Sequence, residues 1–167
     1  KLAKEAGADA VKYQTFRAEN LVTLDAKQAD CQVDNLGAAT SQYEMLKQLE
    51  LSFDEFRQLQ AYCTSIQIEF LSTAFDVESL RFLVEDLQVQ TLKVPSGALT
   101  TYPLLVEMAT YRLPLIISTG MATLGEIEEA LSFIAYRLCH EEMTADIEVI
   151  QAFYKTEEAK RVLSQYV

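Results

Sequence analysis

At 167 residues and 50% hydrophobic, the chain can bury one sizeable core, and that composition excludes a disordered polypeptide. It carries 25 acidic against 14 basic residues, a net charge of −11. That balance excludes a general nucleic-acid surface and makes any lysine set in a strand end stand out. Cys31, Cys63 and Cys139 are widely spaced, without metal-type pairing, and read as free thiols of a reducing cytoplasm. No stretch reads as a signal peptide or as a bilayer span.

Lys1 to Gly7 reads as the last turns of a helix that Gly7 stops. Ala8 to Phe16 follows as a strand whose far end is unusually polar. Arg17 to Thr40 has no strong period and reads as a long loop with room for a short helix; loops of that kind are often functional. Ser41 with Glu44, and Ser52 with Glu55, have capping-box spacing. They start one helix through Leu49 and another with Phe53, Phe56, Leu59 and Tyr62 on its apolar side.

A βα pattern then repeats. Ile68 to Leu71 is a strand ending in Ser72-Thr73-Ala74-Phe75-Asp76, and the next helix offers Leu80, Leu83 and Val84 to a core. Val89 to Val94 is a strand ending in Pro95-Ser96-Gly97, followed by a helix over Tyr102 to Thr110 with Pro103 in its first turn. Leu115-Ile116-Ile117 is an apolar strand, expected to be buried on both faces as in a parallel sheet. It turns through Ser118 to Met121 into a helix that Thr123 and Glu126 cap, with Leu124, Ile127, Leu131, Ile134 and Leu138 as its apolar stripe. Ile147 to Tyr154 fits strand or helix, Glu157 to Ser164 fits a helix, and Tyr166-Val167 has the character of a strand start.

Buried strands alternating with helices imply parallel pairing by right-handed crossovers. Eight such units need ~250 residues, and this chain supplies about half of them. The fold class expected is α/β, parallel βα units forming part of a TIM (β/α)8 barrel, over a single domain 1–167; a four-stranded open sheet is the alternative.

The chemistry gathers at the strand ends. Lys12 and Gln14 lie two apart at the end of the first strand and share a side, and Thr73, Lys93, Ser96 and Ser118 stand at or just beyond the next three. In a parallel βα array those ends form one mouth, where active sites lie. Two ammoniums with several hydroxyls suit a small anion, a carboxylate or phosphate, and Gly97 and Gly120 permit close backbone approach. Alternatively, each lysine snorkels or meets an acid from a neighbouring strand.

Five stretches carry a specific resemblance: Gly7-Ala8-Asp9-Ala10-Val11-Lys12-Tyr13-Gln14-Thr15-Phe16, Ser41 to Lys47, Phe70-Leu71-Ser72-Thr73, Lys93-Val94-Pro95-Ser96-Gly97 and Ser118 to Thr123. Over roughly residues 1–135 the chain resembles the sialic acid synthase family, the N-acetylneuraminate synthase group that includes legionaminate and pseudaminate synthases. The resemblance implies a TIM barrel that condenses phosphoenolpyruvate with an N-acetylmannosamine-type sugar, using Mn2+ or Mg2+, in the cytoplasm and as a homodimer when full length. It implies that Lys12, Thr73, Lys93, Ser96 and Ser118 hold phosphoenolpyruvate, with Lys12 and Lys93 catalytic, and that Gln14 faces the sugar.

The sequence departs from the family at Ala98, where a glutamate is usual, and at Ala74, where proline is common. By the same resemblance, the family's first strand, its two metal-binding histidines and its C-terminal antifreeze-like domain have no counterpart here. The metal ligands are therefore expected outside this chain, and the chain alone is expected to be inactive. His140 is the single histidine and reads as an ordinary helix-end residue. Two other readings stay open: a Schiff-base aldolase acting through Lys93, and a non-catalytic protein derived from a synthase.

Overall fold

The computed structural model describes residues 1–28 and 41–167; the second half of the long loop, residues 29–40 with Cys31, lies outside the described residues. In chain order the elements are α1 (Leu2–Glu5), β1 (Ala10–Thr15), α2 (Ala18–Leu21), α3 (Gln42–Leu49), α4 (Phe53–Ser65) and β2 (Glu69–Ala74). They continue with α5 (Val77–Arg81), a π-helical turn (Phe82–Asp86), β3 (Leu92–Val94), a 3-10 turn (Ser96–Ala98) and α6 (Tyr102–Thr110). The last are β4 (Leu115–Ile117), α7 (Leu124–Cys139), α8 (Ile147–Tyr154) and α9 (Glu157–Tyr166).

Local chemistry sets most helix starts. All three expected capping boxes form, and in each the hydroxyl and the carboxylate satisfy amides that the first turn leaves without partners. Ser41 Oγ accepts from Glu44 N at 3.1 Å and Glu44 accepts from Ser41 N at 3.2 Å. The corresponding distances are 3.3 and 2.7 Å for Ser52 and Glu55, and 3.2 and 2.7 Å for Thr123 and Glu126. Gly7 ends the first helix with φ +87°, a left-handed conformation that glycine adopts without strain.

The four strands form one parallel sheet in the order β1-β2-β3-β4. Every strand sits beside its sequence neighbour, the order of a barrel wall, whereas doubly wound sheets reverse direction from a central strand. Alternation sorts the side chains onto two faces. Tyr13, Phe70, Ala74, Val94, Leu115 and Ile117 point to one face and join the main core with Leu80, Leu83, Leu105, Met108 and Ile134 of the helices. The opposite face carries Lys12, Gln14, Leu71, Thr73, Lys93 and Ile116, and none of these enters that core. Helices therefore cover one side of the sheet, as around a barrel.

Several expectations are corrected. Ile116 is 48% exposed between buried Leu115 and half-buried Ile117, because β4 has helices on one face only; the strand is not buried on both. The strand expected at Ile68–Leu71 continues to Ala74, since Gln14 pairs with Thr73 and Thr15 with Ala74. Only Leu92–Val94 of the third strand joins the ladder, because the Val89 amide is taken by Leu83 O at 3.2 Å at the end of the preceding helical turn. Leu124 is 80% exposed at the first position of its helix, and the buried stripe there starts instead at Ile127 and Ala130. Ile147–Tyr154 is a helix, and Tyr166 closes a helix rather than opening a strand. Cys63 is buried and Cys139 half-buried, both as free thiols.

Candidate functional site at the carboxyl ends of the strands

The register lays one row of side chains across the sheet. Gln14 pairs with Thr73, Thr73 with Lys93, and Lys93 with Ile116. In a parallel pair, residues in register share a face, so Gln14, Thr73 and Lys93 stand side by side on the face without helices. Lys12 is on the same face, one pleat nearer the amino end, opposite Leu71. Ser118 follows the last residue of β4, and its amide bonds to Val94 O at 3.1 Å, which extends the ladder into the turn.

Lys93 is only 8% exposed. Its Nζ donates to Val94 O at 2.6 Å and to Ser118 Oγ, so the ammonium lies across the ends of the third and fourth strands. Burial pushes the Lys93 ammonium below its ordinary value, and the nearby positive charge of Lys12 pushes it the same way. Among the described residues neither lysine has an ion-pair partner, although Lys1, Arg17, Lys47, Arg57, Arg81 and Lys160 all meet carboxylates. In a chain with net charge −11, two uncompensated ammoniums on one face are a local exception. Within the four strands described, neither lysine meets an acid from the strand beside it.

Thr73 adds a second unsatisfied group. It is 1% exposed, and its Oγ1 has no hydrogen-bond partner among the described residues, a rare condition for a buried hydroxyl. Ser96 lies across from Gly120; a Cβ on Gly120 would stand 3.6 Å from Ser96 Oγ. Between these two loops is a cavity of about 240 Å³ lined by Ser96, Gly97, Thr100, Gly120, Ala122 and Glu126 among others. A Cβ on Gly97 would meet nothing within 4 Å, so that glycine is not there for packing and leaves open space at the mouth. A larger cavity of about 640 Å³, lined by residues 19–24 and Tyr43, contains none of the six candidate residues.

All six residues singled out from the sequence thus lie on one face or in the adjoining turns. Ala98, where the family resemblance leads one to expect a glutamate, is 5% exposed and packs in the apolar core. His140 caps α7 and stacks on Tyr136 with ring centroids 4.0 Å apart, away from the strand ends. Sequence reasoning missed Arg17, Glu50 and Asp76, which meet beside β1. The Asp76–Ser79 spacing is a helix-cap signal that was legible; the reach of Glu50 to residue 18 was not.

Four adjacent βα units with their polar and cationic groups at the carboxyl ends of the strands define part of a barrel enzyme of the TIM type. The chain matches the NeuB family over residues 1–156 and belongs to that family. It is similar to the N,N'-diacetyllegionaminic acid synthase of Legionella pneumophila, 48% identical over 132 residues that cover 79% of this chain and 37% of that protein. It is also similar to the N-acetylneuraminate-9-phosphate synthase of Drosophila melanogaster, 37% identical over 126 residues, 75% of this chain and 33% of that one. Among solved structures, the N-acetylneuraminic acid synthetase of Leptospira borgpetersenii in complex with citrate superposes with a TM-score of 0.64 at 29% identity. That match covers 81% of this chain and 42% of the other, so the chain spans well under half the length of the relatives it matches.

Proposed function

We propose that this chain carries the phosphoenolpyruvate-binding part of a sialic-acid-type synthase. The reaction condenses phosphoenolpyruvate with N-acetylmannosamine or a related acylamino sugar to a nonulosonic acid and releases phosphate. The observation that carries the reading is the pair Lys12 and Lys93, both without a carboxylate partner among the described residues, on one face with Thr73 and beside Ser118. A trianionic enol ester offers the carboxylate and phosphate oxygens that two ammoniums and several hydroxyls would engage.

Lys93, tethered by Val94 O and Ser118 Oγ, holds one charged end of the substrate, and Lys12, on the same face and without an ion-pair partner among the described residues, reaches the other. The Thr73 hydroxyl is available to a ligand because no group among the described residues uses it. Gln14, at the mouth end of the row, faces the sugar. C3 of the enol attacks the open-chain aldehyde carbon, water adds at C2, and phosphate leaves with C–O cleavage. The two lysines balance the negative charge of the reacting ester throughout, and stabilisation of that kind is strongest where water is excluded. Neither lysine forms a covalent bond.

Among the described residues no group of three or more His, Cys, Asp or Glu side chains could hold a metal ion. The described residues do not fit the divalent ion that the family resemblance implies. No helix among the described residues is long and apolar enough to cross a membrane. Cytoplasmic location, where phosphoenolpyruvate is made, and a homodimeric full-length enzyme belong to the same proposal.

One observation favours a second reading, a Schiff-base aldolase: burial lowers the Lys93 ammonium, which would favour a free amine. Its two hydrogen bonds to Val94 O and Ser118 Oγ fit an anion-holding ammonium better. Calorimetric titration with phosphoenolpyruvate tests the first reading: binding is expected, weakened more by Lys93→Ala than by Lys93→Arg, which keeps a charge. No binding, or equal loss in both variants, refutes it. Borohydride trapping of pyruvate on Lys93 would establish the second.

A further inference from the structure

We propose that Asp76, assisted by Glu50, is a positioning residue that sets the mouth end of β1 against β2, and through it the place of Gln14 opposite Thr73 and of Lys12 opposite Leu71. For its ligand the inference rests on the reading above; for its geometry it does not. The last ladder bond between the two strands is Phe75 N to Thr15 O at 3.2 Å. Beyond it the backbones diverge, one into α2 and the other into α5. Asp76 Oδ2 accepts the Arg17 amide at 3.0 Å, across 59 residues, and so adds one side-chain rung where the sheet has stopped.

A helix cap alone does not require this. As the N-cap of α5, Asp76 needs only its bond from Ser79 N to Oδ1 at 2.8 Å. The second oxygen is shared between Ser79 Oγ at 2.8 Å and the Arg17 amide. The next amide along, Ala18 N, is taken by Glu50 Oε2 at 2.9 Å. Two carboxylates from different elements thus hold two consecutive amides just past the strand.

The Arg17 side chain closes the arrangement. It pairs with Glu50 at 3.2 Å and Glu78 at 3.7 Å, and its guanidinium lies 4.1 Å from the centre of the Phe53 ring. Burial pushes the Glu50 carboxyl up, but the Ala18 amide, Lys47 and Arg17 together hold it below its ordinary value. Asp76 is 9% exposed, so water does not readily replace it on the Arg17 amide. Residues that bind a ligand from β1 and from its neighbours need a fixed spacing between strand ends, and a charged acceptor on a backbone donor is a strong way to fix it.

The test is Asp76→Thr, in which the shorter hydroxyl keeps the helix cap but does not reach the Arg17 amide. Ser79→Ala is the control, since it removes one bond to Asp76 and leaves the amide contact. Amide hydrogen exchange and the Gln14 side-chain resonances are read without ligand, and phosphoenolpyruvate affinity is read by calorimetry. Expected for Asp76→Thr are faster exchange at Arg17 and at Phe75, whose amide makes the last ladder bond, displaced Gln14 resonances, and affinity lower by about tenfold or more for one lost charged hydrogen bond. Ser79→Ala is expected to match the wild type in all three. Unchanged Gln14 resonances and exchange in Asp76→Thr overturn the proposal. Wild-type protein that binds no phosphoenolpyruvate refutes the anion site, while the exchange and resonance data still decide the positioning role. If Asp76→Thr does not fold, Asp76→Asn, which keeps the cap oxygen and turns an amide donor toward Arg17, is read in the same way.

Discussion

Lys93→Met separates a lysine kept for ligand binding from one kept for structure. Lys93 is 8% exposed, and its Nζ serves two acceptors. Neither is orphaned by methionine: Val94 O still accepts Ser118 N at 3.1 Å, and half-buried Ser118 can turn its hydroxyl to solvent. The substitution loses two charged hydrogen bonds of roughly 1.5–3 kcal/mol each. It removes a buried ammonium whose effective desolvation penalty is of order several kcal/mol, together with the repulsion from Lys12. The terms nearly cancel, and the net expected is roughly 0–2 kcal/mol in favour of methionine, as for other side chains held in place by function. Differential scanning calorimetry at pH 7 should show the variant melting at or above the wild type, about 2–4 °C per kcal/mol for a chain of this size. Phosphoenolpyruvate affinity should fall at least about tenfold, which is ~1.4 kcal/mol.

The pH dependence carries the sign. Folded Lys93 titrates below its ordinary 10.5, so the unfolded chain binds more protons between the two values. Wild-type stability therefore carries the full cost of the buried charge below the folded value and regains it as pH rises toward 10.5. Methionine has no such term, and the gap between variant and wild type should narrow over that window. A variant melting more than about 5 °C below the wild type at pH 7 would show that the ammonium is a structural strut. That result would refute the reasoning.

Thr73→Val should raise stability by about 1 kcal/mol, because it removes a buried hydroxyl without a partner, and should weaken phosphoenolpyruvate binding; denaturant titration with calorimetry reads both. Gly97→Ala should leave the melting temperature unchanged, since its Cβ meets nothing within 4 Å, while a ligand close to that backbone would lose affinity. Ala98→Glu, which introduces the residue that the family resemblance leads one to expect, should lower stability by about 2 kcal/mol or more, because position 98 is 5% exposed in the apolar core; unchanged chemical denaturation would contradict that placement. The chain should self-associate through the open face and the edges β1 and β4, and Ile116→Ser should reduce this in sedimentation velocity; monodisperse wild-type monomer at high concentration speaks against it.

The sequence by itself determined the units of this protein. Capping boxes at Ser41, Ser52 and Thr123, the stop at Gly7 and the strand at Leu115–Ile117 are local matters, decided by side chains within four residues of the amides they satisfy or by period along one element. The same local reading set Lys12, Gln14, Thr73, Lys93, Ser96 and Ser118 at or near the strand ends, because parallel βα units bring those ends to one side. Only the tertiary structure decided which face of each strand is covered, and hence that Ile116 is exposed and Leu124 lies outside the core. It also decided that Lys93 is buried and tethered to Ser118, and that among the described residues Lys12 and Lys93 meet no carboxylate and the Thr73 hydroxyl has no partner. The bonds from Asp76 to residue 17 and from Glu50 to residue 18 span 59 and 32 positions. No pattern along the chain encodes them, because they exist only once the sheet register has brought the end of β1 beside the end of β2.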